Sequence, residues 1–127
     1  SENPVYVKIL GPPASQEIAR LKPGNAFAAV QVARAAIRLN QLDEAGQWYE
    51  RAVRQDPHGE GVLVEAAGFF ATTGSEERAN QLLETFEALG SPTGRLWRVA
   101  SQIYDFLGNE EASRHAAFCA EPGQEGC

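Results

Sequence analysis

Residues 26–57 of this 127-residue chain read AFAAVQVARAAIRLNQLDEAGQWYERAVRQDP, a pattern that leaves room for little besides two amphipathic helices and a tight turn. Ala29, Val32, Ala33, Ala36 and Leu39 recur at three- and four-residue spacing, which lines one face of an α-helix. Ala45, Trp48, Tyr49, Ala52 and Val53 form a second stripe of the same kind. Between the stripes, Asn40 can take the left-handed conformation that ends helices, and Asp43 can accept backbone N–H bonds at the start of the next one. Pro57 stops the second segment, because proline donates no helical hydrogen bond and restricts Asp56 before it. The expected product is a helical hairpin whose seam is rich in alanine, so that its helices approach closely.

A shift of 34 residues reproduces the first helix twice. Ala33 falls on Ala67 and then Ser101, Ala29 on Leu63 and Trp97, Ala36 on Phe70 and Tyr104, and the turn residue Asn40 on Gly74 and Gly108. In the second helix Ala45 falls on Ala79, Tyr49 on Leu83 and Ala52 on Phe86. A period near 34 with turn residues between paired helices is the mark of a helical solenoid. The third unit has lost one residue at its turn, since Ala79 to Ala112 spans 33 residues, and this leaves its second helix two registers to choose from.

These residues resemble tetratricopeptide (TPR) repeats over 26 to about 120, most plainly in LNQLDEAGQWYERAVRQDP at 39–57. The chain departs from the family pattern at Ala29, where a large aromatic is usual, and at Phe86, where alanine is preferred. The resemblance implies an all-α, right-handed α-α superhelix of three hairpins, with units at about 26–59, 60–92 and 93–121. It also implies a concave wall lined by the first helix of each hairpin. On that wall would stand Phe27, Val30, Gln31, Arg34 and Arg38, then Val64, Glu65, Gly68 and Thr72, then Arg95, Arg98, Val99, Gln102, Asp105 and Phe106. The expected function is a non-catalytic scaffold that holds a protein or peptide segment, with Arg34, Arg38, Arg95 and Arg98 facing acidic groups. Proteins of this kind often help assemble multi-protein complexes. The carboxylate clamp found in some of them is not expected, since Val30, Arg34, Glu65 and Val99 stand at its positions and only Arg95 offers a matching cation. Gly68 leaves the wall without a side chain, open to a ligand or given over to packing Trp97 of the next unit.

Ahead of the repeats, residues 1–25 read as an arm. Val5, Val7 and Ile9 alternate with Tyr6, Lys8 and Leu10, which favours a strand at 4–10, and SQEIARLK suggests a short helix at 15–22. A lone strand needs a cover or a partner. The alternative function is therefore a self-associating module that forms a homodimer through this strand or through an exposed helix face. The opening SENP and the absence of methionine lead us to expect a mature or excised piece of a longer precursor.

A net charge of −6 and a pI near 4.9 argue against general nucleic-acid binding, which wants a basic face. No apolar run approaches the roughly 20 residues of a membrane span. His58 and His115 lie far apart, and Cys119 and Cys127 do not have zinc-ligand spacing, so neither a metal nor another cofactor is expected. No serine or cysteine is arranged with a base for nucleophilic catalysis, and no enzyme activity is expected. His115 and Cys119 share a helix face. Cys119 and Cys127 admit two readings: a disulfide worth about 2–3 kcal/mol in an oxidising, exported or periplasmic setting, or a buried Cys119 acting as a small hydrophobe in a cytoplasmic protein.

Overall fold

The computed structural model describes residues 25–124 and 127. The strand expected at 4–10 and the short helix expected at 15–22 lie outside these residues. Among the described residues the chain is all-helical, with six helices and no strand: α1 (Ala26–Arg38), α2 (Leu42–Gln55), α3 (Glu60–Thr72), α4 (Glu76–Ala88), α5 (Gly94–Phe106) and α6 (Glu110–Cys119). They pair as hairpins, α1 with α2, α3 with α4 and α5 with α6. The chain divides into two compact units, Ser1–Pro57 and His58–Cys127.

Each hairpin closes by the same device. Asn40, Gly74 and Gly108 all take positive φ, at 58°, 91° and 81°. The next residue then reaches back five positions to a helical carbonyl, Gln41 to Ala36, Ser75 to Phe70 and Asn109 to Tyr104, at 2.8, 2.8 and 2.9 Å. This is the six-to-one bond of a Schellman ending, which satisfies a carbonyl the helix would otherwise leave open. Asn40 tolerates the left-handed backbone better than other non-glycine residues do. At the helix starts, Asn25 and Asn109 accept from the backbone N–H groups of Ala28 and Ala112 at 3.0 and 3.1 Å. The second helix of the first hairpin begins earlier than Asp43 suggests: Gln41 is its N-cap and makes no side-chain bond there, while Asp43 and Glu44 lie in the first turn, where the helix dipole favours negative charge. Ser75, the expected cap of α4, occupies the N-cap without bonding through its side chain.

The first unit packs on small residues. Among its described residues Ala29, Val32, Ala33, Ala36, Ala45 and Ala52 are fully buried, with Tyr49 the one large buried side chain beside them. Trp48 lies half-buried against Ala28 and Val32, and the Arg51 guanidinium stands 4.9 Å from its ring centroid. Leu39, assigned to the inward stripe, is instead 46% exposed, because α1 ends at Arg38 and Leu39 has already left the helical face.

The second unit packs on large residues. Leu63, Leu82, Leu83, Phe86 and Trp97 are buried, and Phe86 lies tilted against Trp97 at 4.9 Å between centroids. The Trp97 indole N–H donates to the Ser91 carbonyl at 2.8 Å. The Ser91 and Thr93 hydroxyls donate to one Glu60 carboxylate oxygen at 2.7 and 3.3 Å, which ties the α4–α5 turn to the start of α3. Burial of Ala116 and Cys119 in α6 settles the register of that helix: they occupy the inward positions of Leu83 and Phe86 in α4, 33 residues earlier. Gly94 has to be small, since a Cβ there would stand 2.7 Å from the Ala120 carbonyl oxygen.

Candidate partner-binding surface

Helices α3 and α5 lie side by side within the second unit, and one face of that pair stays open. Gly68, Ala71 and Thr72 on α3 and Val99, Gln102, Ile103 and Phe106 on α5 line a cavity of about 160 Å³ that opens to solvent. Its lining is mainly apolar. The Thr72 hydroxyl is taken up by the Gly68 and Phe69 carbonyls at 3.0 and 3.1 Å, so Thr72 has no need of a ligand to satisfy it. Ile103 supplies the floor: its Cδ1 would be 3.5 Å from a Cβ on Gly68. The neighbour of Gly68 is thus Ile103 and not Trp97, which corrects the packing partner expected from the sequence. Phe106, 65% exposed, forms the rim.

Arg95 and Arg98 are exposed on α5, Arg98 directly before the cavity residue Val99 and Arg95 one turn before it, on the stripe that continues through Gln102 and Phe106. Asp105 is exposed as well. Glu65, half-buried, lies one turn before Gly68 on α3. Val64, assigned to the same surface, is buried at 2% exposure and belongs to the core. In the first unit, Phe27, Gln31, Arg34 and Arg38 form one stripe along α1, three of them exposed and Gln31 half-buried. Val30 is buried at 4% exposure and presents nothing to solvent.

Two cavity residues, Ala71 and Ile103, escaped the sequence reading of this surface. For Ala71 the signal was weak, because α3 is apolar on nearly every side and its periodicity does not separate a core face from an open one, whereas Ile103 belongs to the buried stripe of α5 with Trp97, Ala100 and Tyr104.

A second cluster surrounds α6. A disulfide joins Cys119 to Cys127, with the Cα atoms 5.7 Å apart. The Nε2 atom of His115 lies 3.6 Å from Cys119 Sγ and 3.9 Å from Glu87 Oε1, and its ring meets Trp97 edge-on at 6.0 Å. The Tyr104 hydroxyl donates to the other Glu87 oxygen. Burial, together with this hydrogen bond and the nearby Glu87 charge, raises the Tyr104 phenol well above its ordinary value. Among the described residues, no three His, Cys, Asp or Glu side chains converge as metal ligands, and no helix is long and apolar enough to cross a membrane.

No family model matches the chain, and no curated protein matches it at a significant level.

Proposed function

We propose that this chain is a TPR-like array of three helical hairpins that serves as a non-catalytic scaffold, binding a protein segment along the first helices of its hairpins. The observation that carries the reading is the apolar cavity between α3 and α5, open to solvent and rimmed by Phe106, with Arg95 and Arg98 farther along the same helix. Solenoids use such rows of exposed side chains for recognition, and a cavity of about 160 Å³ suits one aliphatic side chain of a partner. The repeated turn geometry at Asn40, Gly74 and Gly108 supports the array itself. A partner segment pairing an apolar residue with a carboxylate would engage the cavity and the arginines together. The superhelical arrangement and a place in multi-protein assembly follow from the TPR resemblance.

The test compares retention of partners from a native extract on immobilised wild type and on the Arg98→Glu, Phe106→Ala double variant. Both side chains are exposed, so the fold is left alone. A protein held by the wild type and lost by the variant supports the reading, and equal retention by both sinks it.

Exposure of Phe27, Phe106 and Phe118 at 68%, 65% and 51% favours a second reading, self-association through a helix face. Light scattering decides it: a dimer mass that falls to monomer in Phe106→Ala or Phe118→Ala, with no partner retained, would replace the scaffold reading.

A further inference from the structure

His115 and Cys119 lie outside the lining of the proposed binding cavity and belong to a connected cluster of reactive groups. The two residues of the Cys119–Cys127 bridge differ in exposure: Cys119 is buried, whereas Cys127 is half-exposed. A thiolate arriving from solvent meets Cys127 first. Attack there makes Cys119 the leaving group, and exchange is faster the better that departing thiolate is stabilised. Its own helix does not help, because Cys119 is the last residue of α6 and the C-terminal end of a helix disfavours negative charge. The neighbour able to help is His115, whose Nε2 lies 3.6 Å from Cys119 Sγ. Glu87 Oε1 at 3.9 Å from the same nitrogen and the edge of Trp97 hold the ring in place.

We propose that the Cys119–Cys127 bridge is a site of thiol–disulfide exchange with a dithiol reductant, with His115 acting as the acid for the departing Cys119 sulfur. A reductant thiolate attacks Cys127 Sγ, and a new S–S bond forms as the Cys119–Cys127 bond breaks. The electron pair goes to Cys119 Sγ, which takes the proton carried on His115 Nε2, and the imidazole regains a proton from water. The second thiolate of the reductant then attacks its own sulfur in the mixed disulfide and releases Cys127, which is protonated from water. Two electrons and two protons pass to the protein, and the dithiol leaves as a disulfide.

The exchange acts on the tail. In the bridged form the Cys127 carbonyl oxygen would be 3.4 Å from a Cβ on Gly90, whose φ is +63°, so the tail is seated on the α4–α5 turn. A cleft of about 440 Å³ lies between that turn, at Ser91, Pro92 and Gly94, and the tail at Ala120, Pro122 and Gln124. Reduction frees the tail and opens this cleft. The turn keeps its own bonds to Glu60 and Trp97, which do not involve the sulfurs.

The oxidised full chain is exposed briefly to limiting reduced glutathione, a monothiol that stops at the mixed disulfide, then quenched in acid, alkylated and mapped by mass spectrometry. The expected adduct is on Cys127 with Cys119 alkylated, and an adduct mainly on Cys119 overturns the proposal. In parallel, dithiothreitol reduction is timed for wild type and His115→Gln. His115 is about half exposed, so the exchange should leave the fold intact. The expected rate is about tenfold lower in the variant, since positioned acids contribute at least that much. An equal or faster rate overturns the proposal, and the adduct position decides it on the wild-type chain alone should the variant misfold.

Discussion

Ala29 and Ala36 in α1 hold the places that Trp97 and Tyr104 hold in α5, 68 residues later, and all four are buried. The backbone between them ends alike, with Asn40 and Gly108 both at positive φ and a six-to-one bond from the following residue. One template thus accepts two kinds of seam. With alanine the seam is closed by backbone approach, and the alanines themselves bring no polar side-chain atom into it. With tryptophan and tyrosine, each ring brings a polar handle into the interior that has to be satisfied. Trp97 finds the Ser91 carbonyl and Tyr104 finds Glu87, so the aromatic seam also fixes the α4–α5 turn and the end of α4. Tight steric fit specifies the alanine seam of α1, and side-chain hydrogen bonds between elements specify the aromatic seam of α5.

That contrast is broken most forcefully at Trp97. Trp97→Ala should cost about 3–5 kcal/mol in urea denaturation, from the cavity it leaves and the Ser91 carbonyl it orphans. The opposite error in the first unit is Ala33→Leu, at a fully buried position in the alanine seam. It should cost about 1–3 kcal/mol, because the helices would have to part. A cost below about 0.5 kcal/mol for Ala33→Leu would mean that the alanine seam is loosely packed, and the comparison would fail.

The features that repeat were legible before the structure. The left-handed turn residues at 40, 74 and 108 and the small residues at 33 and 67 followed from spacing alone, since a helix face and a helix ending are local events. What spacing did not reveal was non-local or degenerate. The Glu60–Ser91 and Tyr104–Glu87 bonds join residues 31 and 17 apart, and no periodicity marks a polar pair across elements. Val30 and Val64 were assigned to the open wall by position in the repeat, but both lie on helices with apolar residues on several sides, where the core claims more than one stripe. The cavity at Gly68 was half legible: the missing side chain was evident, and its neighbour Ile103 was not.

A smaller effect sharpens the polar side of the comparison. Tyr104→Phe should cost about 1.5 kcal/mol at neutral pH, the low end for a bond to a charged group, because Glu87 remains partly solvated. The phenol is raised in the folded chain by burial and by Glu87, so the native state disfavours its ionisation. Its contribution is therefore complete below the unfolded value near pH 10 and is lost as pH rises through the folded value. Denaturation midpoints of wild type and Tyr104→Phe should converge as pH rises above about 10. A gap that stays constant up to pH 11 would remove the hydrogen bond to Glu87 from the account.

The smallest expected effect on stability separates packing from binding. Gly68 corresponds to Arg34 in α1 and Gln102 in α5, so α3 carries no side chain where both of its counterparts do. A Cβ at Gly68 would meet Ile103 Cδ1 at 3.5 Å, an ordinary van der Waals contact, and the backbone there needs no glycine. Gly68→Ala should thus stabilise the second unit by up to about 1 kcal/mol through helix propensity. The same methyl group intrudes on the cavity between α3 and α5, so retention of a partner should weaken while the denaturation midpoint rises. Alanine here would make α3 resemble the close-packed seam of α1, and a residue that is better for the helix but worse for capture would mark Gly68 as kept open for a ligand. If stability rises and capture does not change, the cavity is only a packing gap, and the recognition surface has to be sought on the arginine stripe of α5 instead.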